Sequence, residues 1–215
     1  MKGSVFSLLP LWAIESMRSI RSIVDWVQRG CIGHAPQFVK QRVLMKYCVP
    51  GAPWVETGTY LGTTTKFLAA RSPLVHSIEP ASTLYHGAAR RFRGRNVVLH
   101  HGTSEDILPK LLPELLGAVN FWLDGHYSAG LTYKSDKESP LLDELAAIRA
   151  NLPRLDDVAI FIDDIRCCAP MHAHEREGGY PGLDDLVSWA RDNEFGWRIE
   201  QDIMILSRSS AAPRT

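Results

Sequence analysis

From residue 53 onward, short apolar runs alternate with longer segments in which apolar residues recur at helical spacing. The runs are "PWVET" (53–57), "LVHSIEP" (74–80), "NVVLHH" (96–101), "VNFWLDG" (119–125) and "VAIFIDD" (158–164). Apolar strands separated by helices of about 10–15 residues are typical of βαβ units and a parallel sheet. Because such crossovers are right-handed, the pattern predicts a doubly wound, three-layer α/β sandwich.

The last two apolar runs break this rhythm. "WRIEQ" (197–201) and "IMILS" (203–207) almost touch in the sequence, which leaves no room for a helix between them. They predict an antiparallel hairpin that closes the sheet edge. The fold prediction is therefore a seven-stranded, mostly parallel sheet with an antiparallel last strand.

The N-terminal region has helical rather than strand periodicity. Residues 11–29 place apolar side chains at helical spacing with arginines among the polar positions, and a second helix is predicted over about 36–48. The pattern divides the chain into an N-terminal helical extension (1–50), an α/β domain (51–208) and a flexible tail (209–215). The first helix is basic and amphipathic and could lie on a membrane surface. Packing on the domain, or on a second subunit in a homodimer, is favoured because the segment holds only three arginines.

Composition narrows the choice of partners and compartment. The 215 residues suit one domain, and 24 basic residues balance 24 acidic ones. With an isoelectric point near 7.1, a nucleic-acid partner is disfavoured. Four cysteines lack zinc-site spacing, which favours free thiols in a reducing compartment. Pro10, Glu15 and Arg18 interrupt the first apolar stretch, so no membrane span is predicted and a cytoplasmic location is expected.

The stretch "WVETGTYLGTTT" (54–65) carries a strand into Gly58 and Gly62 and then into a helix. In doubly wound folds ligands bind beyond the carboxyl ends of the strands, and glycine lets the backbone approach them closely. The glycines could instead serve only a tight strand-to-helix turn. The stretch does not contain the GxGxxG pattern that holds a dinucleotide pyrophosphate.

Two acids at strand ends indicate what such a pocket would hold. The carboxylate of Glu56 would repel a pyrophosphate but suits a ligand with an ammonium or sulfonium group. Glu79 ends the second strand, where an acid commonly accepts hydrogen bonds from ribose hydroxyls. Taken alone, Glu79 could be a solvated strand end. The two acids together favour a pocket for a nucleoside that carries a positive charge.

With these motifs, residues 53–207 resemble the class I S-adenosylmethionine-dependent methyltransferases. "ETGTYLG" resembles their acid-x-Gly-x-Gly-x-Gly loop, with Tyr60 at the position of the middle glycine. "SIEP" resembles the ribose-binding segment, and "HGTSEDIL" resembles the segment that flanks the adenine. The resemblance implies S-adenosylmethionine as cofactor. By it, the cofactor-binding residues are Glu56, Gly58, Tyr60, Gly62, Thr63, Glu79, Thr103, Ser104 and Asp124.

Strands four and five end in Asp124 and in the pair Asp163 and Asp164, which should converge at the same sheet edge. Three clustered carboxylates repel one another unless a cation or protons neutralise them. Oxygen ligands select magnesium, calcium or manganese. The alternative is that these acids cap the following loops or helices or face solvent.

The acids also resemble the metal site of small-molecule O-methyltransferases of the catechol and macrocin types. That resemblance implies Asp124, Asp163 and Asp164 as Mg²⁺ ligands, with the metal orienting and activating an acceptor hydroxyl. The lysine base of the catechol type is missing from "DGHY", so His126 is the candidate general base beside a catalytic Asp124. His126 could also be an ordinary loop histidine. His172 and His174, next to Glu175, invite a metal interpretation, but a substrate-lining or surface loop is favoured.

The sequence therefore predicts methyl transfer from S-adenosylmethionine to a hydroxyl of a small molecule, with Mg²⁺. A nicotinamide-dependent oxidoreductase is the first alternative, and Glu56 and the missing GxGxxG pattern argue against it. A binding or scaffold protein that keeps the fold without turnover is the second. Within the fold, a metal-independent N-methyltransferase or a hydroxylase also remains open.

Overall fold

In the computed structural model, the described residues are 11–124, 139–168 and 180–209. Within them lie the strands β1 (Trp54–Thr57), β2 (Val75–Glu79), β3 (Val97–His101), β4 (Gly117–Leu123), β5 (Leu155–Ile162), β6 (Gly196–Glu200) and β7 (Ile203–Arg208). They form one sheet in the order β3-β2-β1-β4-β5-β7-β6, and β7 runs antiparallel to both of its neighbours. This confirms the predicted doubly wound sheet with an antiparallel last strand. Since β7 pairs with β5, β6 forms the outer edge.

Seven α-helices accompany the sheet in the described ranges. They are α1 (Leu11–Gln28), α2 (Gln37–Tyr47), α3 (Thr63–Ala69), α4 (Ser82–Arg91), α5 (Ser104–Leu111), α6 (Leu141–Asn151) and α7 (Leu183–Asp192). In this part of the chain, none of them combines the length and apolarity that crossing a lipid bilayer requires.

The helices cover the sheet on both faces. On one face, side chains such as Phe121 and Ile160 form a core with residues of α5, α6 and α7. On the other, Trp54, Trp122 and Phe161 pack with residues of α2 and α3. Because the central strands are buried on both faces, they appear in the sequence as nearly continuous apolar runs rather than as alternating patterns.

Helix α2 is packed into this core. Val43 and Leu44 are almost completely buried against the sheet. Beyond the helix, the backbone of Val49 donates to Oδ1 of Asn120 in β4 at 2.8 Å and accepts from Nδ2 of Asn120 at 3.0 Å. The hydroxyl of Tyr47 donates to Glu200 of β6 at 2.6 Å. These contacts fix the position of α2 relative to the carboxyl ends of the central strands.

Candidate functional site

The loop between β1 and α3 has an unusual backbone. Gly58, Tyr60 and Gly62 all lie in the left-handed region, with φ of 85°, 47° and 72°. For Tyr60, at the position of the middle glycine in the resembled motif, this conformation is sterically costly. The amides of Gly58 and Thr59 both donate to the carbonyl oxygen of Ile78, at 3.0 and 3.1 Å. The loop is therefore held over the end of β2.

Close packing explains the second glycine of the loop. A Cβ atom added to Gly62 would lie 2.8 and 2.9 Å from two atoms of the Phe92 ring. Phe92 follows α4 and is itself buried. Thr63 comes next, begins α3 and is exposed. Only glycine combines the left-handed backbone with this approach to the ring.

Glu56 lies inside the sheet face that α3 covers. Its side chain is fully buried, and Oε2 accepts hydrogen bonds from Thr65 at 2.5 Å and from Ser77 at 2.6 Å. Ser77 is its direct neighbour in the β1–β2 register, and the Thr59 hydroxyl lies 2.6 Å from that of Ser77. Oε1 is buried and has no hydrogen-bond partner among the described residues. Glu56 thus ties β1 to α3 and β2, and it faces no open solvent.

The burial of Glu56 changes its acidity. Removal from water raises the pKa of this carboxyl to about 7, although the hydrogen bonds from Ser77 and Thr65 act in the opposite direction. Near neutral pH the side chain therefore exists in both the neutral and the charged form. A positive charge brought close to it would favour the charged form.

Glu79 lies where the loops after β1, β2 and β3 meet. Its Oε2 accepts from the Tyr60 amide at 2.8 Å and its Oε1 from the Ala81 amide at 2.9 Å. Its carbonyl oxygen accepts from the Gly102 amide at 3.2 Å. A carboxylate has about four acceptor positions, so two more donors, such as two ribose hydroxyls, have lone pairs available.

The segment after β3 continues this edge. Thr103 precedes α5 with an extended backbone, and its hydroxyl bonds to Asp106 at 3.1 Å. Ser104 begins α5 and is buried. The ring of His101 stacks on that of Tyr85 in α4, with centroids 4.6 Å apart and an angle of 17°. Sequence reasoning missed this aromatic pair, because α4 and β3 meet only in the folded chain.

The structure places two of the three predicted metal ligands, Asp163 and Asp164, beside a buried lysine. Lys40 of α2 is buried, and its Nζ forms an ion pair with Oδ2 of Asp163 and lies 3.5 Å from Oδ1 of Asp164. Burial of the ammonium group lowers the pKa of Lys40, but the charges of Asp163, Asp164 and Asp124 outweigh it and raise the pKa above its usual value. Lys40 is therefore charged at neutral pH.

Asp164 has a second cationic partner, Arg166. Nη1 of Arg166 lies 2.7 Å from Oδ1 of Asp164 and also pairs with Asp202 in the β6–β7 turn. Nδ1 of His34 is 3.5 Å from the same oxygen of Asp164. Asp164 adopts a left-handed backbone, with φ of 52°. Side chains of this chain thus supply positive charge to both members of the acid pair.

These contacts correct the argument that led to Mg²⁺. The three carboxylates were expected to need a bound cation, but Lys40 and Arg166 already place two positive charges beside the pair at the end of β5, with Asp202 sharing Arg166. Within the described ranges no group of three or more His, Cys, Asp and Glu side chains is arranged to hold a metal. Lys40 and Arg166 engage carboxylate oxygens that Mg²⁺ would need as ligands, so the donor set present does not fit Mg²⁺.

Asp163 also lines a pocket between β4, β5 and α6. The other lining residues are Leu123, Ser139, Pro140, Leu141, Glu144, Ile162 and Tyr180. Burial, together with neighbouring acidic groups, raises the pKa of the Tyr180 phenol, so its hydroxyl keeps its proton and can donate a hydrogen bond. The pocket thus combines a phenol and two carboxyl groups with an apolar wall.

Several predicted residues lie outside the described part of the chain. These are His126, His172, His174 and Glu175. Lys40, in contrast, is described and was missed by the sequence reasoning. A signal for it existed, because Lys40 shares one helical stripe with Val43 and Leu44 at spacings of three and four residues. A charged residue on an otherwise buried stripe needs a buried partner.

Comparison with known proteins shows what this fold is similar to. No protein-family model and no curated protein matches the sequence. Among solved structures, a geranyl diphosphate methyltransferase in complex with SAM aligns over 82% of this chain and 86% of its own, with TM-score 0.53 and 11% identity. The 23S rRNA methyltransferase ErmE aligns over 83% and 70%, with TM-score 0.51 and 16% identity.

A putative methyltransferase from Streptococcus mutans, SMU.1697c, in complex with SAH, aligns over 82% of this chain and 98% of its own. Its TM-score is 0.50 and its identity 13%. At these identities the likeness concerns the fold alone. The chain has the Rossmann-like fold that these methyltransferases share.

Proposed function

We propose that this protein is an S-adenosylmethionine-dependent methyltransferase that acts on a hydroxyl group of a small molecule. The observation that carries the proposal is the position of Glu79, whose carboxylate lies where the left-handed loop after β1 meets the loops after β2 and β3. The strands of a doubly wound sheet present ligands at this edge. The fold shared with other methyltransferases supports the same assignment.

In this proposal the cofactor lies along the edge from β1 to β3. The free lone pairs of Glu79 accept the ribose hydroxyls, and the loop from Gly58 to Thr63, including Tyr60 and Gly62, borders the methionine part. Thr103 and Ser104 border the adenine. Glu56 acts from inside the sheet, where it holds the loop through Thr65 and Ser77 and favours a positively charged ligand nearby.

The acceptor lies at the ends of β4 and β5, with Asp124 between it and the cofactor. The hydrogen-bonding groups of Ser139, Glu144, Asp163 and Tyr180 line a small pocket there and would form one side of the acceptor site. The balance of acidic and basic residues offers no excess positive charge for a polyanion such as RNA. The four cysteines form no disulfide bond, which agrees with a reducing compartment such as the cytoplasm.

The chemistry is an in-line displacement. The acceptor oxygen attacks the methyl carbon, the bond from that carbon to the sulfonium sulfur breaks, and S-adenosylhomocysteine leaves. The hydroxyl proton passes to a base, for which His126 is the candidate. The chain's own residues hold the oxygen and the methyl group in line, and this positioning is the main contribution that the geometry supports.

Binding of S-adenosylhomocysteine, followed by thermal unfolding, tests the proposal. At about 100 times its dissociation constant the ligand should add about 2.7 kcal/mol of apparent stability. Glu79→Ala should weaken this binding strongly, whereas the matched variant Asp192→Ala, an exposed acid at the end of α7, should leave it unchanged. Stabilisation by NAD instead would indicate the oxidoreductase, and stabilisation by neither ligand would indicate a binding or scaffold protein.

A further inference from the structure

We infer that Lys40 takes the place of a divalent cation at the ends of β4 and β5, so that the acceptor site works without a bound metal. Calling this site the acceptor site rests on the proposed function. The exclusion of a metal rests only on the contacts of the acids.

The first support is the position of the ammonium group. Nζ of Lys40 pairs with Asp163 and lies 3.5 Å from Oδ1 of Asp164, and the Lys40 and Asp163 side chains are only 6% and 2% exposed. Asp124 is close enough to act on the charge of Lys40 as well. One fixed positive charge therefore lies against Asp163 and Asp164, two of the three carboxylates that were predicted to coordinate the metal.

The second support is that Lys40 cannot readily move aside. Its helix is anchored on both sides of it by the buried Val43 and Leu44 and by the Nε2 group of Gln37, which donates to the Thr64 hydroxyl of α3 at 2.7 Å. The two hydrogen bonds between the Asn120 side chain and the backbone of Val49 hold the segment after the helix. A divalent cation could enter only by displacing the lysine from its buried partners, and an unpaired buried charge is strongly disfavoured.

The third support is Arg166, which pairs with Asp164 and Asp202. A divalent cation between Asp163 and Asp164 would face Lys40 and Arg166 at short range, and like charges in a poorly hydrated site repel strongly. Lys40 and Arg166 also engage carboxylate oxygens that a magnesium ion would need as ligands. Asp163 and Asp164 are thus paired with cationic side chains of the protein itself, Lys40 and Arg166.

This arrangement leaves one carboxylate oxygen for the substrate. Nζ of Lys40 donates a hydrogen bond to Oδ2 of Asp163. The other oxygen, Oδ1, is buried and has no hydrogen-bond partner among the residues described. Asp163 lines the pocket beside Glu144 and Tyr180. Since Oδ1 is shielded from solvent, a hydroxyl or amine of the acceptor would donate to it after a shift of the pocket lining.

Manganese binding to the full chain tests the inference, because free Mn²⁺ gives a strong electron paramagnetic resonance signal that bound Mn²⁺ loses. The wild-type protein should bind no Mn²⁺ with a dissociation constant below about 1 mM, the weak end of protein calcium sites, with or without S-adenosylhomocysteine. Lys40→Met should create a site with affinity at least about tenfold higher. Adding Asp163→Asn to Lys40→Met should remove that site.

The controls separate the possible failures. Lys46→Met, which removes an exposed lysine of the same helix, and Lys40→Arg, which keeps the charge, should both behave as wild type. Tight binding of one Mn²⁺ by the wild-type protein, lost in Asp163→Asn, would overturn the inference even if Lys40→Met does not fold. A folded Lys40→Met variant that binds no Mn²⁺ would overturn it too. If the wild-type protein does not bind S-adenosylhomocysteine, that result would count only against the proposed function.

Discussion

Lys40 in α2 and Asp163 at the end of β5 form a buried ion pair although 123 residues separate them in the sequence. The pair joins a helix that precedes the first strand to the fifth strand of the sheet. It also places a positive charge where the sequence predicted a metal.

Replacing Lys40 should destabilise the protein severely. Lys40→Met leaves the buried carboxylate of Asp163 without its partner, and breaking a buried pair in this way costs about 3–5 kcal/mol. Urea unfolding followed by circular dichroism measures the change. Lys46→Met, which breaks the exposed pair with Glu200 on the same helix, should have a much smaller effect. Equal losses in the two variants would show that the buried pair is not special.

The burial of Glu56 should make stability depend on pH. The pKa of its carboxyl is about 7 in the folded protein against 4.5 for an ordinary glutamate, so the folded state holds a proton that the unfolded chain releases. This contribution to stability is complete below about pH 4.5, falls as the pH rises to about 7 and is constant above that.

Comparison with Glu56→Gln isolates this effect, since glutamine keeps an oxygen for Thr65 and Ser77 but has no charge. From pH 5 to pH 8 the wild-type protein should lose roughly 2–4 kcal/mol relative to the variant, at about 1.4 kcal/mol per pKa unit. Urea unfolding of both proteins at several pH values gives the difference. Parallel curves would mean that the carboxyl titrates normally.

Gly62 should tolerate alanine less well than a glycine of the same conformation elsewhere. Gly94 has the same φ of 72° but open space around it, so Gly94→Ala should cost only the left-handed backbone, about 1–2 kcal/mol. Gly62→Ala adds the clash with the Phe92 ring, worth about 1–3 kcal/mol more. Thermal unfolding compares the two, and Phe92→Leu should recover part of the added cost. Similar losses at both glycines would argue against close packing at Gly62.

The sequence predicted the sheet well because each central strand is buried on both faces and therefore reads as a distinct apolar run. Helix α2 was predicted over about 36–48 and is observed at Gln37–Tyr47. The prediction of the β6–β7 hairpin was correct because only two residues lie between its strands. These features depend on local patterns, which a single sequence displays directly.

The contacts of the site were harder to predict from the sequence, because they depend on strand order and register. The burial of Glu56 follows from Ser77 lying directly opposite it and from α3 covering that face. A cationic side chain of α2, Lys40, lies beside these acids, and nothing local to "IFIDD" points to it. Counting the acids without their tertiary partners therefore favoured a metal.

The Lys40–Asp163 separation also has a consequence for synthesis. Helix α2 leaves the ribosome well before β5, and 123 residues correspond to roughly 6–25 s at about 5–20 residues per second. During that interval the stripe formed by Lys40, Val43 and Leu44 lacks its acid and the later apolar residues of its cluster, such as Phe161 and Ile205. An ammonium group is strongly hydrated. Until Asp163 is available, the charge of Lys40 therefore keeps water bound to this side of the nascent helix.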